Sequence, residues 1–102
     1  QKDKNPPSVW ITMSQKNHLR FELKDIQIGK QSKSLKEFSV HAEDGKINWE
    51  AVSSYAKSIS QNLPELETAL LFPSEKSSYE DIVNLIDHFK KNEIHSIGVA
   101  PL

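Results

Sequence analysis

With 102 residues, 36% of them apolar and 26% charged, the chain has the size and mixture of one small α+β domain. That is too apolar for disorder and too short to enclose a large ligand cavity. A net charge of −1 excludes the one-sided basic surface of nucleic-acid binders, and the lack of cysteine excludes disulfides, thiolate–zinc sites and thiol catalysis together.

The chain opens on the polar, proline-paired stretch QKDKNPPS, so Gln1–Pro7 reads as a linker and Ser8–Leu102 as the domain. Val9–Met13 (VWITM) is β-branched and aromatic, and Leu19–Leu23 (LRFEL) alternates apolar with polar. The two predict strands joined across SQKNH as a hairpin. Ile26–Ile28 is a candidate short strand, and the stretch Lys24–Lys36, where Lys24, Lys30, Lys33 and Lys36 sit among polar residues, reads as a solvated loop and not a binding strip. Phe38–Ile47 predicts a second hairpin, because Phe38, Val40 and Ala42 alternate and Asp44-Gly45 suits a primed two-residue turn.

A first helix is expected over Trp49–Asn62. Asn48 is its N-cap, Glu50 favours the positive end of the dipole, and Trp49, Val52, Ala56, Ile59 and Leu63 form the buried stripe. Pro64 closes it. Thr68–Phe72 (TALLF) is a continuous apolar run of strand length, expected near the sheet centre. A second helix begins with the capping pair Ser78 and Asp81, carries Glu80 in its first turn, and ends with Lys90 and Lys91. Its predicted stripe is Tyr79, Ile82, Val83, Ile86 and Phe89, and a last strand is expected over Ile94–Ala100. Strands joined through a helical crossover run parallel, so the simplest architecture is a single mixed β-sheet with two helices packed on one face.

Candidate chemistry is sparse. The four histidines, His18, His41, His88 and His95, lack the HxxxH and HExxH patterns and read as surface or edge residues, with no metal site. Three glycines, Gly29, Gly45 and Gly98, are too scattered to build a phosphate loop, and no GxSxG elbow occurs. Capping and solvation account for Glu65, Glu67, Glu75, Glu80, Asp81 and Asp87. Trp10 and Trp49 read as core residues rather than sugar-stacking platforms. The expectation is a non-enzyme without a catalytic residue, cofactor or metal.

The stretch LPELETALLFPSEKSSYEDIVNLIDHFKKNEIHSIGVAPL (Leu63–Leu102) resembles the periplasmic domain of the ExbD/TolR family of biopolymer-transport proteins, and the resemblance covers Asn48–Leu102. The family's pattern is a proline after the first helix, an apolar strand, a polar loop, Tyr opening a helix, and a strand of the kind IxxIGL. Pro64, ALLF, Tyr79, IVNLIDHF and IHSIGV stand in those places in order. The family-pattern positions are Ser74, Glu75, Tyr79 and Asp87. Ser74 stands where the family often has Asp, and Asn92-Glu93 replaces the family's glycine, so that a left-handed cap is expected on Asn92. The family has one hairpin before its first helix, whereas this chain has material for two.

The resemblance implies a single-pass inner-membrane protein, anchored by a transmembrane helix ahead of the linker and carrying this domain in the periplasm. It would be a subunit of a proton-motive-force-driven complex with an ExbB/TolQ-like channel subunit. The domain would form a homodimer and engage a TonB/TolA-like protein or peptidoglycan. Sheet physics adds that exposed edges suit such pairing. The first hairpin and the last strand are the expected edges, with Ile94, Ser96 and Gly98 as contact positions. The alternatives are a stand-alone α+β adaptor and a small peptidoglycan-binding module, both without a motor role.

Overall fold

The computed structural model describes residues 6–27, 29 and 33–101. Strands β1 (Ser8–Met13) and β2 (Leu19–Lys24) form the expected antiparallel hairpin. Asn17 turns it in the left-handed region at φ 64°, and the Ser14 hydroxyl accepts from the amides of Lys16 and His18. On the far side of β2 lies β3 (Glu37–Val40), antiparallel; on the far side of β1 lies β4 (Thr68–Phe72), parallel; beyond β4 lies β5 (Ser96–Val99), also parallel. Among the described residues the mixed sheet therefore has five strands, in the order β3-β2-β1-β4-β5.

Period two then sorts the side chains. Val9, Ile11, Met13, Leu19, Phe21, Leu23, Val40, Ala69 and Leu71 face one way and are buried. Helices α2 (Trp49–Asn62) and α3 (Tyr79–Lys90) cover that face with Val52, Tyr55, Ala56 and Ile59 from α2 and Leu85 and Phe89 from α3. Phe21 lies at the centre, its ring 4.6 Å from Tyr55 and 6.0 Å from Phe89 between centroids. Each such fully buried side chain contributes about 1.5–3 kcal/mol, so this layer holds the two helices to the sheet.

The caps form where their side chains allow. Asn48 Oδ1 accepts from the Ala51 amide at 3.2 Å and Ser78 Oγ from the Asp81 amide at 3.0 Å, each satisfying an orphan donor of a first turn.

Several expectations need correction. Lys33–Lys36, expected as loop, is a single helical turn, α1, with Leu35 packed against the core. The second hairpin does not form as such. Asp44 and Gly45 do make a tight turn at φ 52° and 75°, but it closes only the Glu43–Lys46 bridge, because β3 pairs with β2 instead. No strand occurs at Asp25–Gln27; Ile28 lies outside the described residues, as does Gln1–Asn5 of the linker. Tyr79 and Val83 are 82% and 42% exposed, while Leu85, left out of the predicted stripe, is fully buried. Trp10 is no core residue, since its odd-numbered neighbours take the covered face and leave it on the open one. The first hairpin is no edge either, as β1 is the middle strand.

Candidate interaction surfaces

The two sheet edges differ in chemistry. β3 (EFSV) follows α1 and carries Glu37, which reaches Arg20 on β2 at 3.6 Å; Arg20 also meets Glu22 at 3.4 Å. Charge on a short strand blunts it as a template for pairing. β5 (SIGV) has no charge at all. The amides of Ser96 and Ala100 donate to Glu67 and Leu71 on the β4 side. Main-chain groups alternate sides along a strand, so those of Ile97 and Val99 point to the open edge. Val99 is 46% exposed, and on α3 Val83 and Tyr79 are exposed as well.

Of the expected contact positions, Ser96 and Gly98 lie on this strand and are exposed. Ile94 does not. It precedes β5 and is fully buried, so it belongs to the core and offers nothing to a partner.

Ser74 and Glu75 lie in the β4–α3 loop, next to the start of α3 at Tyr79. Ser74 is a turn residue: its amide donates to Ser77 Oγ at 2.9 Å, and its own Oγ accepts from the Lys76 amide at 3.2 Å. Its hydroxyl thus does locally what an Asp carboxylate would do at the same place. Tyr79 projects into solvent from the first turn of α3. Asp87 stands eight residues along the helix, about 12 Å away, and pairs with Lys91 at 3.2 Å. The first three therefore share one end of the domain and Asp87 does not.

The uncovered sheet face carries a small apolar group. Trp10 and Phe72 lie 5.2 Å apart between centroids, with Leu70 on the strand between β1 and β5. Lys24 Nζ sits 5.1 Å from the Trp10 ring, and the indole N–H donates to Ser8 Oγ. Gly98 keeps this face open beside Leu70, whose Cδ1 would lie 3.4 Å from an added Cβ.

The histidines are spread out. His95 is exposed and lies 3.3 Å from Glu93; His88 stacks on Trp49 at 5.1 Å; only His18 and His41 come together, 5.5 Å between ring centroids. Among the described residues no three His, Cys, Asp or Glu side chains converge as metal ligands do. Tyr55 is buried under α1, its hydroxyl donating to the Leu35 carbonyl at 2.8 Å, and burial pushes its ionisation well above the usual tyrosine range. It is a packing residue that stays neutral. A Ser-x-x-Lys spacing at Ser54 and Lys57 escaped the sequence reading. Both side chains are exposed on α2, and among the described residues no hydrogen bond links them.

No family model, no curated protein and no solved structure matches this chain.

Proposed function

We propose that the chain is the periplasmic domain of an ExbD/TolR-like subunit in a proton-motive-force-driven inner-membrane complex. In this reading it dimerises and engages a TonB/TolA-like protein or the cell wall, beside an ExbB/TolQ-like channel subunit, and is not an enzyme. One observation carries the reading: α2, β4, α3 and β5 follow in the resembled order, and the left-handed residue that ends α3 stands where that family has glycine. That residue is Glu93, at φ 70°, not Asn92 as expected.

The domain's part would be mechanical. A sheet braced by helices on one face transmits a pull with little deformation, and an uncharged edge such as β5 accepts an added strand by main-chain hydrogen bonds. A second reading, a peptidoglycan-binding module, is favoured by the exposed Trp10 ring beside the half-buried Phe72, since aromatic faces stack on sugars.

The test is fractionation of the native gene product from its own cells. Retention in membranes after carbonate extraction, with detergent co-purification of a multi-span subunit, is the expected result. Recovery among soluble proteins would end the transport reading. Loss of sacculus binding on Trp10→Ala would favour the second one.

A further inference from the structure

Two turns distant in sequence are fastened together at one end of the sheet. The Ala42 amide donates to Nδ1 of His18 at 2.9 Å, and the Asn17 side-chain amide donates to the Gly45 carbonyl at 2.8 Å. These bonds hold the Asp44-Gly45 turn against the β1–β2 turn. The segment so held leads directly into Asn48, the N-cap of α2.

The first bond fixes a chemical state. A backbone N–H can only donate, so Nδ1 of His18 must present its lone pair, and the ring is neutral with its proton on Nε2. Its main chain cannot swing away freely: the His18 amide donates to Ser14 Oγ at 3.0 Å and its carbonyl accepts from the Ser14 amide at 2.9 Å. A protonated ring would therefore set N–H against N–H. The groups facing it add to this. Lys16 from the β1–β2 turn, Arg20 from β2 and His41 after β3 line the same grooves and are cationic or become so in acid. Glu43, Asp44 and Lys46 lie on the held turn itself and are exposed to water. The same tautomer argues against a His18–His41 metal site, because ligation through Nε2 would move the proton to Nδ1 and break the bond to Ala42.

The geometry points to an acid-loosened latch: His18 holds the turn at 42–45 against the β1–β2 turn at neutral pH, and its protonation breaks the Ala42 bond and leaves the turn on the Asn17–Gly45 bond alone. Ile47 stays buried in the core, so the turn loosens while the sheet stays intact.

Nuclear magnetic resonance of the whole chain tests this. At pH 7.5 the long-range nitrogen spectrum of His18 is expected to report the Nε2–H tautomer. The Ala42 amide is expected to lose about five-fold in exchange protection between pH 7.5 and 5, after correction for intrinsic rates, as for one hydrogen bond lost. His18→Ala should show the low protection at both pH values, and His41→Ala should keep the pH response. An Nδ1–H tautomer at pH 7.5, or protection of Ala42 that ignores pH, overturns the latch. So does wild-type protection in a folded His18→Ala. Should that variant fail to fold, the tautomer and pH response of the native chain decide alone.

Discussion

Ile94 donates its backbone N–H to the carbonyl of Phe89 at 3.1 Å, and both side chains are fully buried. With the Glu93 amide bonded to the Lys90 carbonyl at 3.2 Å, this is the paired closure of a Schellman motif, including its hydrophobic contact. The motif ends α3 and aims the chain into β5. It also demands a left-handed residue between Asn92 and Ile94, and the chain puts Glu there at φ 70°.

A side chain in that conformation carries a penalty of about 1–2 kcal/mol that glycine does not. Part of the gain from glycine is offset by the greater freedom of the unfolded chain. Glu93→Gly is therefore expected to stabilise the domain by about 0.5–1 kcal/mol, since its ion pair with His95 is exposed and contributes little. Urea unfolding would show a higher midpoint at unchanged slope. A lower midpoint would mean that the conformation of Glu93 carries no strain.

Leu85 and Val83 stand two residues apart on α3, one fully buried and the other 42% exposed. Leu85→Ala opens a cavity beneath the helix and is expected to destabilise by about 2–5 kcal/mol. Val83→Ala should stay within about 0.5 kcal/mol. Equal effects would mean that α3 is rotated about its axis.

The same pair shows what a sequence can and cannot deliver. Asn48 and Ser78 mark the helix starts through local hydrogen bonds, which neighbouring residues suffice to define, and the structure follows them. Which side of α3 meets the sheet is decided by distant residues. Ile82, Leu85, Ile86 and Phe89 form one apolar stripe, and Tyr79, Val83 and Ile86 another. The ring of Phe21, distant in sequence, meets Phe89 and so belongs with the first.

Sheet neighbours were hidden for a similar reason. Phe38 and Val40 alternate as well against Ala42 and Ile47 as against β2, and it is the pairing of Phe38 with Phe21 and Val40 with Leu19 that takes them. Once β3 is placed there and β4 lies beside β1, the first hairpin is interior and β5 becomes the uncharged edge. The histidine latch lay beyond reach too, since His18 and Ala42 are 24 residues apart and nothing local joins them.

Tyr55 gives a prediction in alkali. Its phenol is buried and donates to the Leu35 carbonyl, so the folded state holds its proton above the usual tyrosine range near pH 10. The unfolded chain loses that proton first. The stabilising contribution is then complete below about pH 10 and declines as pH rises further, because the unfolded state binds fewer protons. Ultraviolet titration should show Tyr55 ionising only as the domain unfolds. Tyr55→Phe should cost about 0.5–1.5 kcal/mol and remove the alkaline decline. Ionisation of Tyr55 near pH 10 in the still-folded domain would contradict the burial.

The open edge can be probed with proline. The amide of Val99 points away from β4, so Val99→Pro removes no bond of the ladder and takes away an outward donor. Half the side chain's surface is already exposed, so the loss of packing is small. Gly98 sits one residue back, where alternation turns its amide toward β4, and Gly98→Pro would break a ladder bond at about 1–3 kcal/mol. If β5 pairs with a second copy, sedimentation equilibrium should show a dimer for the native domain and a monomer for Val99→Pro at unchanged thermal stability. Gly98→Pro should lower stability as well. A dimer that survives Val99→Pro places the contact elsewhere, and a native monomer at high concentration leaves the edge free for an extended segment of a different partner. Titration with such a segment would then be weakened by the same proline, since both unions draw on the outward amides of Ile97 and Val99.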